Sequence, residues 1–163
     1  MRTLVIGFGN PGRGDDGIGP ELARRLAHLE LPDVTVEMDY QLSVEHAALV
    51  AEHDRTVFVD ATAENTGADG AAYYLRPVAE TPTDAGLTHF VSPGQVVSLA
   101  RACFGAAPPC YLLGVRAYEM DDFADGLTPR AEAGLQAALA HLVRVIEQSP
   151  RETSRLETSD AIR

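Results

Sequence analysis

Cysteine is scarce in this sequence: 163 residues carry two, Cys103 and Cys110, and they form no C-x-x-C pair. So few thiols exclude a disulfide framework. A chain of this length needs none, because it can bury roughly 70% of the surface that its unfolded form exposes. Both cysteines are expected to be buried free thiols in a reducing, cytoplasmic setting. Long apolar runs are missing as well. The opening MRTLVIGFGN reaches its glycines after too short an apolar run for a signal segment or a membrane span, so a soluble protein with no membrane partner is expected. Basic residues are few, 13 against 24 acidic ones, for a formal net charge of −11. That balance repels a phosphate backbone and excludes nucleic acid as a partner. There is no internal repeat, and no G-x-S-x-G elbow to mount a serine nucleophile.

What is present is an alternation of short apolar runs and helical periodicities. Thr3 to Ile6 reads as a buried parallel strand closed by Gly7. Ile18, Leu22, Ala23, Leu26 and Leu29 then recur at helical spacing, up to Pro32. Val34 to Met38 is a second strand, Ser43 an N-cap for a helix over Val44 to Glu52, and Thr56 to Val59 a third strand ending at Asp60. Ala71 to Val78 is extended and suits an edge strand. Ser92-Pro93-Gly94-Gln95 has the capping-box pair and the first-turn proline of a helix start, with Val96, Leu99, Ala100 and Cys103 on its apolar stripe. Cys110 to Val115 is a further strand. Thr128-Pro129 opens a last helix that faces Leu135, Ala138, Leu139, Leu142 and Ile146 inward, where each large side chain contributes roughly 1.5–3 kcal/mol.

This order predicts an α/β fold: a three-layer sandwich with a mostly parallel, twisted sheet of about five strands and helices on both faces. Residues 1–148 form the single domain, residues 149–163 a polar, disordered tail, and the protein is expected to be a monomer.

The block GFGNPGRGDDGIG, residues 7–19, decides between functions. Gly7, Gly9 and Gly12 fit the G-x-G-x-x-G pattern of NAD and FAD sites, and Glu37 or Asp39 ends the second strand where a ribose-binding acid sits. A nucleotide-binding oxidoreductase is therefore one reading. Yet helical periodicity begins only at Ile18, and Asp15 and Asp16 stand where a pyrophosphate would lie. GFGNPG also looks like the opening of bacterial peptidyl-tRNA hydrolases, but RGDDGIGP follows in place of that family's histidine-bearing run. The alternative is a glycine mount for a carboxylate. With strand order 2-1-3 the first and third strands are neighbours, and their carboxyl ends open on the switch-point crevice, which Asp16 and Asp60 would share. Structural roles compete: Asp15 or Asp16 can cap the helix that follows, and Asp60 can bond loop amides.

Taken together, GFGNPGRGDDGIG, VFVDA ending at Asp60, THFVSPGQ and the late DGLTP resemble the hydrogenase maturation endopeptidases, in order from Met1 to about Ile146. The resemblance implies an α/β hydrolase that removes a C-terminal extension from the precursor of a nickel-iron hydrogenase large subunit after nickel loading. The nickel belongs to the substrate, and the enzyme has no cofactor of its own. By motif, the resemblance carries the family's metal-contacting residues onto Asp16, Asp60 and His89, with the two acids also catalytic. Two carboxylates and an imidazole suit nickel or zinc. A metal-docked hydrolysis and an aspartic-type mechanism, in which one acid activates water and the other protonates the leaving amine, both remain open. So does a non-catalytic chaperone of the nickel site. His28, His46, His53 and His141 fall in or around helices and read as surface or core residues.

Overall fold

The computed structural model describes residues 1–64, 70–82, 91–121 and 123–148. Among these, five strands form one sheet: β1 (Thr3–Phe8), β2 (Val34–Asp39), β3 (Arg55–Thr62), β4 (Tyr73–Pro77) and β5 (Cys110–Arg116). Their order is β2-β1-β3-β5-β4, all neighbours parallel except the antiparallel edge pair β4–β5. Four helices cover the faces: α1 (Ile18–Ala27), α2 (His46–Ala51), α3 (Pro93–Phe104) and α4 (Pro129–Glu147). The α/β sandwich read from the alternation is the fold observed.

Strand alternation divides the core into two layers. Val5, Val57, Val59, Leu113 and Val115 point to one face, under Ile18, Leu22 and Leu26 of α1 and Leu135, Ala138 and Leu142 of α4. Leu4, Ile6 and Phe58 point to the other, under Ala47 and Val50 of α2 and Val96, Val97 and Ala100 of α3. α1 and α4 are tied by Arg25, whose guanidinium donates to both carboxylate oxygens of Glu132 at 2.6 and 2.9 Å. α4 ends on a buried cation. Arg55 donates to the carbonyls of Val145 (3.0 Å) and Ile146 (3.3 Å) and to the Thr3 hydroxyl, so the negative end of the helix meets a positive charge.

The caps read at Ser92 and Thr128 are present. Ser92 and Gln95 exchange side chain-to-backbone bonds, and the Thr128 hydroxyl accepts from the Ala131 amide. Four local expectations are corrected. Ser43 does not cap α2: its amide donates to His46 Nδ1 at 2.9 Å, and the helix starts only at His46. Leu29 lies beyond the end of α1 and is exposed. Cys103 is exposed, because α3 buries Val96, Val97 and Ala100 and turns the Cys103 position outward; Cys110 is the buried thiol, and burial pushes it up to about 12. β3 does not stop at Asp60 but runs to Thr62, held by pairing with β5.

Candidate active site at the switch point

β1 leads left to β2 through α1, and β3 returns to its right, so the chain reverses between β1 and β3. Crevices at such points open at the carboxyl ends of strands. Here β1 pairs with β3 only as far as Gly7–Val59, while β3 continues. Asp60, the next residue, is therefore no longer flanked by β1.

The glycine block fills that gap. Gly9 has φ +143°, a conformation closed to L side chains, and turns the chain off β1. A single 3-10 turn, Gly14–Gly17, carries both aspartates into the first residue of α1. Gly19 lets α1 approach closely: a Cβ there would collide with the carbonyls of Phe8 and Val59. This close packing sets the turn against β3.

Asp15 and Asp16 then part company. Asp15 is fully buried and accepts four hydrogen bonds: from the amides of Tyr118 (2.8 Å), Glu119 (3.0 Å) and Thr128 (2.7 Å), and from the Thr128 hydroxyl (2.9 Å). Burial alone would raise its carboxyl, but those donors outweigh it and hold the pKa below the ordinary value. It does not cap the helix that follows, as the sequence allowed; it pins the distant start of α4. The late motif DGLTP supplies that partner, and the long separation hides the pairing from local reading.

Asp16 is partly exposed. Its Oδ2 accepts from the Asn10 amide at 3.1 Å, and Arg13 Nη1 stands 4.0 Å from the same oxygen. The Gly12 amide donates to Asn10 Oδ1 at 2.9 Å. These loop amides thus serve the chain's own acceptors, and the helix that would receive a pyrophosphate begins only after both acids. A dinucleotide cradle needs those amides free.

Asp60 is half-buried on the α2–α3 face. Desolvation pushes its pKa up to about 7; the Ala61 amide pulls the other way, and the charge on Asp16 adds to the rise. The charge on Asp16, from a separate segment, is thus felt at Asp60 as the smallest of the three effects. On the other side, Asp60 pairs in register with Gly114, and Gly114 with Tyr74. A Cβ on Gly114 would strike the Tyr74 ring and its hydroxyl, so that ring lies across the empty position beside Asp60. The lone glycine inside the strand CYLLGVR was the available signal of a close approach there.

His89, expected to complete the set, lies outside the described residues, as does the 149–163 tail. Among the described residues no group of three or more His, Cys, Asp and Glu side chains could hold a metal. His46 cannot substitute. Its Nδ1 accepts from Ser43, so the neutral ring carries its proton on Nε2, which points at Asp39 Oδ2 at 3.9 Å and offers no lone pair. His28 and His53 bond helix carbonyls through Nδ1, and His141 meets the Tyr73 hydroxyl at 3.1 Å.

An acidic pair at the switch point of a doubly wound sheet outlines a class of site: two carboxylates, one of them raised by burial to about 7, beyond the carboxyl ends of β1 and β3. Solved structures narrow the class. A NiFe hydrogenase maturation protease, HycI from Thermococcus kodakarensis KOD1, matches with a TM-score of 0.70 at 22% identity, over 90% of this chain and 93% of that one. The hydrogenase maturating endopeptidase HybD from E. coli matches with a TM-score of 0.69 at 24% identity, over 92% and 94%. An endopeptidase from Escherichia coli matches with a TM-score of 0.64 at 25% identity, over 87% and 90%. No protein-family model and no curated protein matches the sequence. This chain has the fold of the hydrogenase maturation proteases, the family its motifs resemble. No helix among the described residues is long and apolar enough to cross a membrane.

Proposed function

We propose that this chain is an endopeptidase that removes the C-terminal extension from the nickel-loaded precursor of a nickel-iron hydrogenase large subunit, reading the bound nickel through Asp16 and Asp60. The observation that carries the reading is the coupled pair of acids at the switch point of a fold shared with maturation proteases over nine-tenths of its length. His89 is the proposed third contact. The nickel is the substrate's, and the protein works in the cytoplasm as a monomer without a resident cofactor.

The chemistry follows from Asp60. With its pKa near 7, the carboxyl is poised to hold a proton or to release it to water when a cation approaches. When nickel docks, the proton is displaced and both carboxylates face the metal, which holds the precursor's C-terminal segment in the crevice. Water then adds to the carbonyl carbon and gives up a proton, the C–N bond breaks, and the leaving nitrogen takes that proton. An empty or wrongly loaded precursor leaves Asp60 protonated and gives no such grip, which makes cleavage conditional on loading.

The test uses catalytic amounts of protein with nickel-loaded precursor and follows precursor mass. Many precursors should be shortened per protein, and Asp16→Asn and Asp60→Asn should each lower the rate at least a hundredfold with the fold retained. A single stoichiometric binding event without shortening supports a nickel-site chaperone in place of the enzyme. Micromolar binding of NAD, NADP or a flavin would instead revive the nucleotide reading of the glycine block.

A further inference from the structure

The sheet row that holds Asp60 contains one more group with chemistry to offer. Asp60, Gly114 and Tyr74 are register partners on three adjacent strands. Register partners project to the same face, here the α2–α3 face, because Phe58 and Leu112, two residues earlier on β3 and β5, belong to that core. Glycine leaves the middle position empty, and the distal end of the Tyr74 ring occupies it. The side chain therefore leans from the edge strand toward Asp60, across a strand spacing of about 4.8 Å. Arg76 stacks on the ring, its guanidinium carbon 4.5 Å from the centroid, and reaches Glu64 at 4.0 Å. Among the described residues the Tyr74 hydroxyl has no hydrogen-bond partner, although the ring is only half exposed. A tyrosine braced in this way with its O–H unused is set to meet a ligand.

We infer that Tyr74 is a substrate-contacting residue of this site, its phenol donating a hydrogen bond to the carbonyl oxygen of the scissile peptide while Asp60 and Asp16 lie on the far side of that bond. The inference rests on the endopeptidase reading. Ionised carboxylates only accept hydrogen bonds, so the pair of acids supplies nothing to the oxygen on which negative charge develops during attack. A positioned O–H does. When water adds to the carbonyl carbon, the electron pair moves to that oxygen and the phenol bond shortens. Collapse expels the nitrogen, which takes the proton that the attacking water gave up, and the tyrosine proton stays where it began. Gly114 is then required by function, because any side chain there displaces the phenol.

Three proteins test this: wild type, Tyr74→Phe and Gly114→Ala, each assayed for cleavage of nickel-loaded precursor and for thermal stability. Tyr74→Phe keeps the ring and its arginine stack, so melting should be unchanged while kcat falls ten- to a hundredfold and KM changes less than threefold. Gly114→Ala should lose kcat to at least the same degree. If wild type cleaves and Tyr74→Phe cleaves equally well, the Tyr74 assignment is wrong and the endopeptidase reading stands. If Tyr74→Phe raises KM alone, the hydroxyl serves binding and the proposed role in bond breaking is overturned. Failure of wild type itself to cleave counts against the endopeptidase reading.

Discussion

Asp15 and Asp16 show how far two identical neighbours diverge once the chain is folded. Asp15 is a buried anion satisfied by four donors, and it ties the glycine block to the start of α4. Replacing it with alanine strands three amides and a hydroxyl, which costs about 3–5 kcal/mol; chemical denaturation should show this loss even though Asp16 is untouched. Because its pKa is depressed, the stability it contributes is present above the unfolded value and is lost as pH falls through the folded one. Asp60 has the opposite sign. Its pKa rises from 3.8 to about 7, so the native state binds the extra proton, and stability is lost as pH climbs through that window. A shift of that size corresponds to something on the order of 4 kcal/mol at high pH. Asp60→Asn should therefore raise the melting temperature by several degrees at pH 8 and barely change it at pH 4. An unchanged melting temperature at both pH values would mean that Asp60 is not desolvated.

The elements that frame the crevice were mostly readable because their signals are local. Ser92-Pro93-Gly94-Gln95 and Thr128-Pro129 carry their capping chemistry within four residues, and both helices start where that chemistry places them. The apolar stripes read for the helices that became α1 and α4 were legible in the same way, and both pack on one face of the sheet. What escaped notice depends on partners far along the chain: the Asp15–Thr128 tie, the extension of β3 past Asp60 by pairing with β5, and the Tyr74 ring over Gly114. Ser43 misled for a different reason, since its hydroxyl, like its amide, turns to the His46 ring nitrogen three residues on. Arg55 is another long-range device, joining the first residue of β3 to the last turn of α4. Arg55→Met removes the cation and leaves buried carbonyls and the Thr3 hydroxyl without their donor. It should cost about 2–4 kcal/mol by denaturant titration, while Arg55→Lys recovers part of that loss. Full stability in the methionine variant would show that α4 needs no such cap.

For the whole molecule, the fold and the acidic balance point to the same kind of partner. A net charge of −11 turns away polyanions, and the proposed pair of carboxylates, Asp16 and Asp60, would favour a cation. Under the proposed function the protein need not hold a metal permanently, since the cation would arrive on the substrate and supply the condition for cutting. The loop amides that a dinucleotide would use are spent inside the glycine block, so the same sequence pattern that advertises a nucleotide site builds a carboxylate mount. The measurement closest to this claim is a paired digestion of one precursor prepared with and without nickel, each exposed to the same trace of protein. The account predicts shortening of the nickel-loaded form alone, stopped by Asp60→Asn. Equal cleavage of the metal-free precursor would contradict it.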